Sequence, residues 1–354
     1  MRTRCLSFHA GYRCRHVGEC CRAGWDIEVE PHIVQAVETR RILPVLSTAV
    51  AFQPLPEAGT VAPARTQTGD CGFHQADRCS LQQAGSETML PSACRHFPRV
   101  YLRDARGVLL TLSHFCPTAA ALLLDQHPVT IVEAAAPLAL EEPIEGLDAR
   151  EALPPLVRPG MLADIPGYAA WEEAVVRTFV ETPDAHAALS ILERATEDVR
   201  QWSPSHGLLA DRVREAFATV SPDAAALHLS ESFAVVRDLT GPHPLIEVPA
   251  EFEREWADLR DRALNLMSGP MARYLAASTF GNWIAYRGQG LRSIVAWLHA
   301  CHDVVRVQLV RHLSQADAIA PADLIEPFRL ADYIMVHTVD SLAFGRATGA
   351  TEIV

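Results

Sequence analysis

The stretch VYLRDARGVLLTLSHFCPTAAALLLD, residues 100–125, holds the strand and helix signals from which the fold is read. Val100 to Leu102 and Val108 to Leu112 flank Arg103-Asp104-Ala105-Arg106-Gly107, whose Asp and Gly suit a hairpin loop. Cys116-Pro117-Thr118 then opens an Ala/Leu run to Asp125. Proline is tolerated in the first turn of a helix because the N–H it lacks would have no partner there. A helix dipole at that position would favour a Cys116 thiolate.

Upstream, Trp25, Ile27 and Val29 alternate with Asp26, Glu28 and Glu30, the period of a half-buried strand. Pro, Ala, Gly and Thr between Gln53 and Asp70 read as a loop insertion. Downstream, prolines at 137, 143, 154, 155, 159 and 166 recur too often for a regular helix or a central strand. Beyond them the pattern turns helical. Leu189, Leu192, Ala195, Val199 and Trp202 share one face, and Leu291, Ile294, Val295, Leu298, Cys301 and Val305 share another, with Cys301 as a small core thiol. Ser221-Pro222-Asp223 has the form of a helix start, while Gly-Pro at 241–242 and 269–270, and Gly288 with Gly290, punctuate further helices.

The fold expected is mainly α and α+β overall: a small cysteine-cluster module with short strands, then a helical domain. Residues 1–130 are read as the cysteine module, 131–168 as a Pro-rich connector and 169–354 as an acidic helical domain.

Composition narrows the chemistry. The 354 residues carry 43 acidic and 31 basic side chains, a net charge of −12, and every basic residue is Arg. A chain without Lys cannot build a P-loop or a Schiff base. Residues 131–354 hold most of the negative charge, which repels nucleic acid phosphates and suits a basic protein partner better. The amino-terminal MRTRCLSFHAGYRCRH lacks the apolar run of a signal peptide, and Val108 to Leu124 is too short and too interrupted to span a bilayer. A cytoplasmic protein with reduced thiols and no membrane partner is expected.

Eight of the nine cysteines precede residue 117: Cys5, Cys14, Cys20, Cys21, Cys71, Cys79, Cys94 and Cys116. In a reducing compartment such clustering points to metal, since thiolates bind zinc or hold iron–sulfur clusters, usually four to a site. No spacing is a zinc-ribbon pair or a ferredoxin run. Cys20 and Cys21 diverge as neighbours, so one ligand and one supporting thiol are expected of a single ion. A cluster with several irons relaxes that limit. His74, His96 and His114 lie among the cysteines as further donors.

Tyr12-Arg13-Cys14, Cys20-Cys21-Arg22-Ala23-Gly24-Trp25-Asp26-Ile27, Cys71-Gly72-Phe73, Cys79-Ser80-Leu81-Gln82, Leu90-Pro91-Ser92-Ala93-Cys94-Arg95-His96-Phe97-Pro98-Arg99 and Leu112-Ser113-His114-Phe115-Cys116-Pro117 together resemble the flagellin lysine N-methylase family. That family belongs to a broader group with a zinc- or iron-chelating cysteine cluster. The resemblance covers roughly residues 5–125, and the acidic remainder resembles the family more loosely. It implies that Cys14, Cys20, Cys21, Cys71, Cys79, Cys94 and Cys116 match the family's metal-site cysteines, with an iron–sulfur cluster (4Fe–4S) as first choice and zinc as the alternative. It also implies S-adenosylmethionine as methyl donor and a lysine-bearing, flagellin-like protein as acceptor.

The residues themselves leave three readings open: a metal-cluster-dependent protein lysine N-methyltransferase, a non-catalytic zinc- or iron-binding protein, and an iron–sulfur redox protein. Gly288 and Gly290 lack the strand and third glycine of a dinucleotide turn, so a donor would need a different pocket. Arg95 and Arg99 are the candidates to hold a cofactor carboxylate through bidentate bonds. His96 and His114 are where a base would be sought, and Trp25 and Phe97 are expected to be core.

Overall fold

The computed structural model describes residues 2–15, 17–42, 44, 50–57, 59–75, 78–134, 146–222 and 227–349. The chain is mainly helical with small sheets, an α+β mixture. Asp104 and Gly107 close the hairpin of strands Arg99–Asp104 and Gly107–Leu112, with Gly107 at a φ of 115° that favours glycine. Strand Thr3–Leu6 pairs parallel to Gly107–Leu112 and antiparallel to Ile131–Ala134, while Gly146–Asp148 pairs parallel to Arg99–Asp104 and completes a five-stranded sheet.

Period-two alternation divides this sheet. Leu6, Leu102 and Leu109 face the large helical core, whereas Cys5, Tyr101, Val108 and Leu110 pack together on the other side. Cys5 is thus a core thiol, pushed up to about 11 by burial. The same core takes in Trp171, Leu192, Tyr274, Leu298 and Phe328, joining sheet and helices across residue 130.

Asp164 and Asp184 start helices Ile165–Glu181 and Ala185–Arg200 by accepting the backbone N–H groups of Gly167 and Ala187. Leu189, Leu192, Ala195 and Val199 are fully buried on the second, as their spacing predicts. Helix Leu291–Leu313 is buried on nearly every face and carries Cys301 inside the core. Arg106, in the hairpin turn, pairs with Asp104 at 2.7 Å and with Glu172 of Ile165–Glu181 at 2.9 Å. This buried pair of contacts locks the sheet to the helical body.

Three expectations change. Residues 24–30 form no strand: Trp25 and Ile27 are half-buried and Val29 is buried, alternating with exposed Asp26 and Glu28, but the chain is only extended, and Val29 N–H donates to the Val61 carbonyl at 2.9 Å. Gly269-Pro270 does not break a helix, because Pro270 lies inside Phe252–Thr279, whose flanking Met267, Met271 and Tyr274 are buried and carry the helix past the missing bond. The 53–70 insertion contains a small pairing of Phe52–Pro54 with Val61–Pro63. Residues 135–145, with Pro137 and Pro143, and Asp223 of the expected helix start lie outside the described residues.

Candidate functional site

Residues 7–98 leave the sheet after its first strand and return at the hairpin, carrying most of the cysteines. Gly18, at a φ of 75°, leads into the short helix Glu19–Arg22 that bears Cys20 and Cys21. A Cβ at Gly18 would lie 2.2 Å from His74 Nε2, so glycine lets the imidazole approach. Cys71 N–H donates to the Cys21 carbonyl at 2.8 Å, and the two-residue strands His74–Gln75 and Arg78–Cys79 pair His74 with Cys79. Val29, Ile33, Val37, Phe73, Leu81 and Met89 form a separate small core beneath them.

Cys20, Cys21, Cys71 and Cys79 are thereby brought together. The Cys20 and Cys21 thiols hydrogen-bond; that bond pulls Cys20 down and pushes Cys21 up, and Cys71 and Cys79 repel a Cys21 thiolate further. Burial raises Cys71 and Cys79. His74 Nε2 is buried with no hydrogen-bond partner among the described residues.

A second group forms at Tyr12. Its hydroxyl is 3.5 Å from Cys116 Sγ and also interacts with Cys14, and the Arg99 guanidinium lies 5.4 Å over its ring. Cys116 does cap helix Pro117–Ala121, with Pro117 in its first turn. The expected thiolate is not favoured, because burial raises Cys116 more than the helix N–H groups and Tyr12 lower it. Cys94 and Arg95 are half-buried on helix Ser92–His96 and engaged by neighbours. Among the described residues, no group of three or more His, Cys, Asp or Glu side chains is arranged to hold a metal ion.

The two histidines expected as bases are both buried. His96 Nδ1 lies 3.2 Å from Ser92 Oγ, and His114 Nε2 lies 3.2 Å from His9 Nε2, with its Nδ1 3.7 Å from Asp332. Burial, then the neighbouring His114, holds His9 well below the usual imidazole range.

Sequence reasoning missed His337, Asp332 and Tyr333. Helix Ile325–Asp332 runs into a π-helical turn, Tyr333–Thr338, a distortion that often marks functional positions. Arg329 of that helix donates to the Phe115 carbonyl at 2.9 Å and pairs with Glu19 at 3.3 Å, tying the helix to the cysteine-bearing segments. Ser113 Oγ lies 2.7 Å from Asp332 Oδ2 and 2.8 Å from His337 Nε2, and Phe115 N–H donates to Asp332 at 3.1 Å. His337 stays solvent-accessible while its ring packs against Trp25 at 4.5 Å, Phe115 at 6.1 Å, Phe97 at 6.3 Å and Tyr333 at 6.4 Å between centroids. Trp25 and Phe97 are half-buried members of this aromatic group rather than core. No spacing rule links residues 25, 97 and 113–115 to 332–337; only the tertiary fold does.

Comparison with family models, curated proteins and solved structures finds no match to this chain. Among the described residues, no helix is long and apolar enough to cross a membrane.

Proposed function

We propose that this chain is a metal-cluster-dependent protein lysine N-methyltransferase. In this reading a 4Fe–4S cluster sits on its cysteines, S-adenosylmethionine is the donor and a lysine-bearing, flagellin-like protein is the acceptor. The observation that carries the reading is the gathering of Cys20, Cys21, Cys71 and Cys79 from two distant segments, with Cys14 and Cys116 meeting at Tyr12. The donor set fits: soft thiols suit iron–sulfur or zinc centres, and the orphaned, buried His74 Nε2 beside Cys71 and Cys79 is a further donor. Those residues would hold the metal, with Cys94 as the remaining thiol. In this reading Arg99, which lies over Tyr12, and Arg95, beside Cys94, would bind the carboxylate of the donor. When bound, S-adenosylmethionine supplies an electrophilic methyl group: a lysine amine forms the N–C bond as the C–S pair returns to sulfur.

A structural metal without catalysis is the second reading, favoured by the six-residue core under the cysteine segments, too small to order them alone. Anaerobic purification with iron, acid-labile sulfide and zinc quantitation separates the two. About four irons and four sulfides per chain support the cluster. Stoichiometric zinc without sulfide overturns it.

A further inference from the structure

We propose that Trp25, Phe97 and Tyr333, grouped around the buried Phe115 ring, form a seat for a lysine ammonium group, in which Nδ1 of His337 is the proton acceptor. The proposal rests on the methyltransferase reading for its reaction, and on geometry for its site.

Aromatic faces attract cations through the ring quadrupole; Trp25, Phe97 and Tyr333 stay partly open to solvent, while Phe115 is buried and carries the Arg329 guanidinium 5.1 Å over its ring. The hydrogen bonds beneath it fix the imidazole. Asp332 can only accept, so Ser113 Oγ donates to it and must accept from His337, which places the imidazole hydrogen on Nε2. The lone pair is therefore on Nδ1. Ser113, with its proton committed to a buried carboxylate, is a positioning residue and not a nucleophile. Crowding by the surrounding rings holds His337 below the usual imidazole range, with Asp332 acting in the opposite sense, so the ring is neutral at pH 7.

Lysine reaches such a site as an ammonium ion, which has no lone pair to attack a methyl group. In the proposed step one N–H bond of the ammonium breaks, its electron pair stays on nitrogen, and the proton bonds to Nδ1 of His337. Chain geometry puts the seat near the cysteines. Trp25 is four residues from Cys21, Phe97 three from Cys94 and Phe115 adjacent to Cys116, at no more than about 3.6 Å of reach per residue.

The test uses the full chain purified anaerobically. Diethyl pyrocarbonate modifies neutral imidazoles, and peptide mass spectrometry reads His337 in the presence of Nα-acetyl-lysine methylamide or its uncharged Nε-acetyl analogue. The site predicts that His337 is modified and that the charged compound protects it selectively. Trp25→Leu should raise the concentration for half-protection about tenfold, and Phe97→Leu should act in the same direction. His337→Gln should slow methyl transfer at least about a hundredfold. An unreactive His337, or equal protection by both compounds, overturns the seat even if the wild-type chain methylates lysine. Lysine-selective protection with no wild-type methyl transfer keeps the seat and overturns the methyltransferase reading.

Discussion

His302 makes the helical body sensitive to mild acid by a calculable amount. The residue sits on helix Leu291–Leu313, 5% exposed, with Nδ1 3.7 Å from Asp303. Burial pushes its imidazole down from 6.5 to about 4, and Asp303 opposes that only in part. The unfolded chain therefore takes a proton near pH 6.5 that the folded chain refuses until about pH 4. Stability is undiminished above pH 6.5 and falls as pH drops through that window, by about 3 kcal/mol in all and about 2 kcal/mol by pH 5. In the wild-type chain Asp303 does not titrate within that window. Burial would raise it, but contacts from His302, Arg306 and Ser230 hold it at about 2, so its contribution is lost only below about pH 4. Against a total stability of roughly 5–15 kcal/mol the His302 share is large. The perturbation is His302→Gln, which keeps polar atoms and removes the titration. Urea denaturation of both proteins at pH 7 and pH 5 should show the variant losing about 2 kcal/mol less than wild type on acidification. Parallel losses would refute the reasoning, whatever the other buried histidines contribute.

Further outcomes follow from particular contacts. Arg106→Met leaves Asp104 and Glu172 buried without their cation and should cost about 3–5 kcal/mol in thermal or urea unfolding, with Glu172→Gln in the same chain recovering part of it. Gly18→Ala drives a Cβ against His74 from a φ of 75°, so metal bound per purified chain should fall while the far-ultraviolet helical signal is kept. Cys5→Ala should leave metal content unchanged because Cys5 packs in the sheet, whereas Cys79→Ala should lower it; equal effects would contradict the division between them.

The elements read in Val100–Asp125 survive because hairpin, proline and cap signals are local, although the strands run further into the turn, as Arg99–Asp104 and Gly107–Leu112, and the α-helix stops at Ala121 before a 3-10 turn. The same holds for the helix stripes, whose spacing alone reports a buried face. Residues 24–30 show where periodicity stops: alternate burial marks extended chain, and whether it gains a ladder partner depends on segments far away. Pro270 is carried through a helix by packing that no local rule contains. The cysteines were visible as a set, but their division into a Cys20–Cys21–Cys71–Cys79 group and a Tyr12–Cys14–Cys116 group was not. His337 was the least legible, since its importance comes from Ser113 and Asp332 beneath it and from rings more than 200 residues away in sequence.

The central claim is transfer of a methyl group to lysine, and mass spectrometry tests it most directly. Anaerobically purified protein of known iron and sulfide content is incubated with S-adenosylmethionine carrying a deuterated methyl group and with flagellin, alongside an acceptor whose lysines are acetylated. The account predicts deuterated methyl groups on lysine side chains of flagellin, none on the acetylated protein, and loss of transfer in Cys79→Ala. Unmodified lysines in the presence of a chain with its full cluster would contradict it.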